Sequence, residues 1–169
     1  MTINPDLQGR SYPAHEVYDV GREKIREFAR AVKATHPAHF DVDAAAALGH
    51  RDLVAPPTFA IIVAQRADAQ LIEDPASGID FSRVVHADQR FIHHRPIVAG
   101  DRLVAELHVD GVRAMGGGAM ITTRAEIFAL AAGTAAAGTA AAGPGDAATG
   151  AREAVATTTS SILVRGEGQ

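Results

Sequence analysis

The sequence contains no cysteine. That excludes disulfides and thiolate chemistry and is compatible with a reducing compartment. It has no tryptophan, and aromatic residues make up only 5% of the 169 positions. A core must therefore come mainly from Val, Ile, Leu and Ala. Positive charge is not in excess: the formal net charge is −4, which gives no electrostatic reason to expect nucleic acid or an anionic membrane as partner. No uninterrupted apolar run is long enough to span a bilayer. The opening residues Met1-Thr2-Ile3-Asn4-Pro5-Asp6 lack the basic and apolar regions of a secretory signal, so the expected location is cytoplasmic. No Gly-rich loop follows a strand and opens a helix, and no Ser occupies a nucleophile-elbow pattern. No bound cofactor and no metal are expected.

What is present suits one domain over residues 1–169, with 47% apolar residues. A short first strand is expected within His15 to Val20. Gly21 opens a helical pattern in which Ile25, Phe28, Ala29 and Val32 form one stripe and charged residues the other face. Pro37 is expected to end that helix. Asp41 or Asp43 can cap a short helix over Ala44 to Leu48, closed by Gly49. Pro56 and Pro57 stand where a long helix can begin, since a first-turn proline gives up no hydrogen bond. From Thr58 to about Ile72 apolar residues cover most of the circumference, which predicts a buried helix. Its polar residues gather late, so the second half, with Asp68, is expected to emerge from the core.

The period then changes to two. Val84 to His93 reads as a strand with Val85, Ala87, Gln89 and Phe91 on one face, and of His93 and His94 one is expected to be buried. Leu103, Ala105, Leu107 and Val109 alternate with Val104, Glu106, His108 and Asp110. Gly116-Gly117-Gly118 is a turn, Met120 to Phe128 a third strand, and Val155 to Val164 a fourth. Between the last two lies a low-complexity Ala/Gly/Thr stretch at about 129–150, read as a hairpin-loop insertion, because its glycines and Pro144 weaken a helix. The order of elements gives an α+β fold with an antiparallel sheet able to curl around one long helix.

Candidate chemistry centres on Thr35-His36-Pro37-Ala38-His39-Phe40-Asp41. His36, His39 and Asp41 match no strong zinc spacing. These residues resemble the MaoC-like family of (R)-specific enoyl hydratases and 3-hydroxyacyl dehydratases. So do Val54-Ala55-Pro56-Pro57-Thr58-Phe59, Asp88-Gln89-Arg90-Phe91 and His94-Arg95-Pro96-Ile97-Val98-Ala99-Gly100-Asp101. Within that family the likeness is to actinobacterial (3R)-hydroxyacyl-ACP dehydratase subunits with a FAS1-like dehydratase domain, over roughly residues 7–128 and 152–166. The resemblance implies a hot-dog fold and pairing into a double hot dog.

The family's catalytic pattern is Asp-x-Asn-Pro-x-His. Here Pro37 and His39 fill the Pro and His positions, but the Asn position is His36 and the Asp position is Ala34. Alanine neither accepts a proton nor polarises water. The family also offers a backbone N–H to the thioester carbonyl at the start of the central helix. The corresponding residues are Pro56 and Pro57, which have no N–H to give. Losing one such donor costs on the order of 100-fold or more in rate.

The resemblance therefore implies the non-catalytic, acyl-channel-forming half of a heterodimeric dehydratase of fatty-acid metabolism. His39 is the retained catalytic-type residue, and Phe59, Ile62, Val63, Pro56 and Pro57 are the candidate substrate-binding residues. A catalytic MaoC-like hot-dog subunit would be the partner and acyl-ACP or acyl-CoA the substrate, in a dimer or higher oligomer. The alternatives are a self-sufficient (R)-hydratase using His39 with Asp41 or Asp43, and a non-enzymatic acyl-binding hot-dog homodimer. A thioesterase ranks lower, because the long helix offers it only Asp68.

Overall fold

The computed structural model describes residues 3–131 and 151–166. Two short strands come first, β1 (Ser11–Tyr12) and β2 (Tyr18–Asp19), followed by helix α1 (Arg22–Ala31), α2 (Val42–Ala47) and α3 (Ile61–Glu73). Four long strands complete the chain: β3 (Val84–His93), β4 (Arg102–Met115), β5 (Gly118–Leu130) and β6 (Arg152–Val164). They form one antiparallel sheet in the order β1-β4-β5-β6-β3, with β2 also paired to β4. The sheet packs around α3, as a hot-dog fold requires. The low-complexity segment lies outside the described residues from 132 to 150, while 129 and 130, assigned to it from composition, belong to β5.

The core lies between α3 and the concave face of the sheet. Phe59, Val63, Ala67 and Leu71 of the helix and its lead-in join Leu103, Leu107, Ile121, Ile127 and Val155 of the strands. Burying each of the larger side chains contributes roughly 1.5–3 kcal/mol. Leu71, near the C-terminal end of α3, is fully buried. The helix therefore does not emerge halfway along. It is amphipathic over its whole length, with Gln65 and Arg66 as its exposed residues before Glu73. Val104, expected on a solvent face, is also buried.

Two local features redirect the chain. Helix α1 ends before Pro37 is reached. Lys33 adopts a left-handed conformation with φ 57°. The N–H of Lys33 then donates to Arg30 O at 3.2 Å and that of Ala34 to Ala29 O at 2.8 Å, the paired closure of a helix C-terminus. Val32, read as part of the apolar stripe, is left exposed at this turn. In β3 the register against β6 shifts between His86 and Asp88. Such a bulge adds one residue to one strand and reverses the faces beyond it. Val84 and His86 consequently share the inner face with Gln89 and Phe91, opposite Val164, Ile162, Ser160 and Thr158. Val85 is exposed rather than on the face of Phe91, and both His93 and His94 are exposed. No helix among the described residues is long and apolar enough to cross a membrane.

Candidate functional site

Among the described residues, chemistry-bearing side chains come together in several places. The first is the turn around His39. Pro37–His39 forms one 3-10 turn, whose entrance is capped by the His36 ring: the Ala38 N–H donates to His36 Nδ1 at 3.2 Å. His39 follows, buried, with its Nδ1 2.7 Å from the Val54 carbonyl oxygen. A carbonyl only accepts, so Nδ1 carries the proton and a neutral ring keeps Nε2 as its basic nitrogen. The His36 ring stands edge-on, 6.0 Å away centroid to centroid.

Among the described residues no carboxylate pairs with His39. Asp41, the nearest acid in sequence, is occupied as the N-cap of α2 and accepts from the N–H groups of Asp43 and Ala44 at 2.7 and 3.2 Å. Ala34, at the position where the resemblance places the acid, is half-buried and offers a methyl group. The lead-in to α3 runs Pro56, Pro57, Thr58, and the Ala55 N–H is already bonded to Ile97 O at 2.8 Å. The first amide this helix end can present is therefore that of Thr58, one residue beyond the two prolines.

The bend after β3 is held separately. Asp101 is buried and accepts from Arg95 Nη1 at 2.8 Å and from the Val98 N–H at 2.9 Å, while Arg51 also pairs with it. This fixes Ile97-Val98-Ala99 beside Leu53 and Val54, so the arginine and aspartate of that motif act on the backbone that carries the His39 contact.

The second place is a cleft of about 640 Å³ between α3 and the β3–β6 side of the sheet. Its apolar lining includes Ile61, Ala69, Ile72, Val84 and Ile162. In its wall stands Asp68. Thr123 Oγ1 on β5 donates to Asp68 Oδ1 at 3.0 Å. Burial pushes the Asp68 carboxyl up to about 6, against the opposing effects of the Thr123 hydrogen bond and of His86. Across the cleft, His86 Nε2 lies 3.1 Å from both Gln89 Oε1 and Ser160 Oγ. Sequence reasoning placed Asp68 near an exposed end and so missed this group. The bulge in β3, which turns His86 and Gln89 inward together, leaves no signature in the alternation.

The five residues read as substrate-binding lie elsewhere on the helix and its lead-in. Phe59 is fully buried against the Phe28 and Tyr18 rings, with centroids 5.3 and 6.3 Å away. Val63 belongs to the core, Ile62 is half-buried, Pro56 is buried and Pro57 exposed. None of the five borders the cleft that holds Asp68. One further cluster, Glu106, His108 and Glu126 on β4 and β5, places three potential metal-ligand atoms within 4.8 Å of one another. Its carboxylates are paired with Arg152 and Arg124.

Comparison with known proteins places this geometry. Residues 6–134 match the model of the family described as FAS1-like, dehydratase domain region. A protein of Clavibacter michiganensis subsp. michiganensis, named only as a UPF0336 protein, is 56% identical over 122 residues, covering 72% of this chain and 82% of its own. The C-terminally truncated HadBC (3R-hydroxyacyl-ACP dehydratase) complex from Mycobacterium tuberculosis contains a chain 33% identical, with a TM-score of 0.72 over 94% of this chain and 97% of that one. A MaoC-like dehydratase is 31% identical with a TM-score of 0.75, over 95% of this chain and 43% of its own length.

Proposed function

Because the chain belongs to the FAS1-like dehydratase family of hot-dog proteins, we propose that it is the non-catalytic half of an (R)-specific 3-hydroxyacyl-thioester dehydratase. The substrate is an acyl group on acyl carrier protein or coenzyme A, and the setting is cytoplasmic fatty-acid metabolism. The reaction removes a proton from C2 and the hydroxyl from C3, giving the 2-enoyl thioester and water. A partner hot-dog chain supplies the carboxylate, the imidazole and the N–H donor. This chain contributes a wall of the acyl channel and a surface for the partner.

The observation that carries this reading is the state of His39. Its imidazole is positioned through Nδ1 by a backbone carbonyl, yet no acid stands beside it among the described residues and the nearest one caps a helix. A water molecule there would meet one base and no second group to hold it. Two features support the pairing. Among the described residues strand β3 is bonded on one side only, by β6, and an exposed strand edge is a template for another chain. Ile92 and Phe81, near that edge, are exposed apolar side chains.

The test is an enoyl-hydration assay with crotonyl thioester, on the purified chain alone and with a catalytic MaoC-like subunit. The chain alone is expected to be inactive and the pair active. Full hydration by the chain alone overturns the proposal. The second reading, a self-sufficient hydratase, draws on the basic Nε2 of His39. It requires activity in the isolated chain that His39→Ala abolishes. The third, an acyl-binding homodimer without catalysis, requires binding and no turnover in either assay.

A further inference from the structure

Three titratable side chains border the apolar cleft beside α3: Asp68, Glu73 and His86. They differ in how much water they keep. Glu73, the last residue of α3, is exposed. His86, on β3, is exposed too, and its Nε2 lies 3.1 Å from both Ser160 Oγ and Gln89 Oε1. Asp68 is half-buried, and among the described residues the Thr123 hydroxyl is the one group that donates to its carboxylate. The facing strands β5 and β6 bring hydroxyls there, Thr123 and Ser160, and no charge. Asp68 is therefore the group whose remaining water a chain lying in the cleft displaces. A neutral carboxyl loses little by that, whereas an ionised one loses strong hydration and gains no partner. Covering the group favours its protonated form, and by linkage protonation favours covering it. Burial already holds the free carboxyl at about 6, against the opposing effects of Thr123 and His86, so the change falls between mildly acid and neutral pH. His86 has the opposite sign. A chain lying over an imidazolium favours the neutral ring, which would make binding tighten as the pH rises.

We propose that this cleft is a proton-linked acyl site, in which Asp68 admits an uncharged chain when protonated and disfavours it when ionised. Occupancy brings a proton with it and weakens as the pH rises. The inference concerns the regulation of the acyl channel and rests on that reading.

The experiment is calorimetric titration of the purified chain with decanoyl N-acetylcysteamine thioester, a ligand with no group of its own that titrates in this range. Wild type, Asp68→Asn and His86→Gln are compared at about pH 5 and about pH 8, each first shown to be folded at both by circular dichroism. The wild type is expected to bind about tenfold more tightly at the lower pH, the ratio produced when covering the carboxyl moves its titration up by about one further pH unit. Near pH 6.5, buffers of different ionisation enthalpy are expected to report uptake of about half a proton per bound thioester. Asp68→Asn, which carries no charge at either pH, is expected to bind equally at both, and His86→Gln to keep the wild-type slope. Wild-type binding that is independent of pH, or that tightens as the pH rises, overturns the proposal and leaves the channel reading standing. A wild-type slope that persists in Asp68→Asn overturns it in the same way. Absence of binding by all three proteins at both pH values overturns both.

Discussion

At position 68 a carboxylate has been carried into a half-apolar cleft with one protein hydrogen bond to compensate it, and the fold bears the cost. Its folded value of about 6 lies above the ordinary 3.8, so between those values the folded protein binds more protons than the unfolded chain. Stability from this group therefore falls as pH rises through that window, and above it the full penalty, at most roughly 3 kcal/mol, is present. Asp68→Asn keeps an acceptor for Thr123 and removes the charge. It is expected to raise Tm near neutral pH and to leave Tm unchanged at about pH 3 or below, where both states are protonated. An equal gain at both pH values would show that the charge is not responsible. His39 stood out in the sequence through the family resemblance. Its partner did not, because the Val54 carbonyl, 15 positions further along the chain, reaches it only through tertiary packing. Asp68 was visible too, but its burial depends on which side of α3 faces the β3–β6 strands, and the alanines spread around the helix do not declare that side.

At the scale of elements, apolar spacing located α1, α3 and the four long strands, because burial on one face imposes a period of 3.6 or 2 on the residues. It missed what lies between and within them. The end of α1 is set by a left-handed lysine, a position where glycine carries no Cβ penalty. Lys33→Gly is expected to stabilise the protein by about 0.5–1 kcal/mol, read from chemical denaturation; a loss of stability would mean that the Lys33 side chain contributes more than its backbone costs. The strand faces of β3 were misread for a related reason: a bulge is a backbone event, and residues 84 to 93 alternate without marking it. The Gly116-Gly117-Gly118 turn was legible because two physical demands coincide there. Gly117 has φ 94°, and a Cβ on Gly118 would stand 2.3 Å from the Val164 carbonyl oxygen.

For the molecule as a whole, the proposed pairing turns on the edge of β3 that no strand among the described residues covers, and on the apolar side chains beside it. Ile92 is 52% exposed. Ile92→Glu puts a charge where an interface would need to be dry and is expected to weaken association at least about tenfold while leaving the monomer's Tm close to wild type. Sedimentation of the variant against the wild type, with and without a partner subunit, reads the effect; unchanged association would place the contact surface elsewhere. The fold as a helix wrapped by strands was legible from composition and period, and the family phrases gave it a name. The pairing of β1 with β4 was not, since two-residue strands carry no period at all. At the far end of the β5–β6 hairpin, the Ala131 N–H donates to the Ala151 carbonyl at 3.1 Å. The ladder is thus clasped shut at residues 131 and 151, which stand side by side. That makes the clasp a splice point of fixed geometry: a short turn, an epitope or a whole reporter domain joined to residues 131 and 151 would inherit a ready-made register.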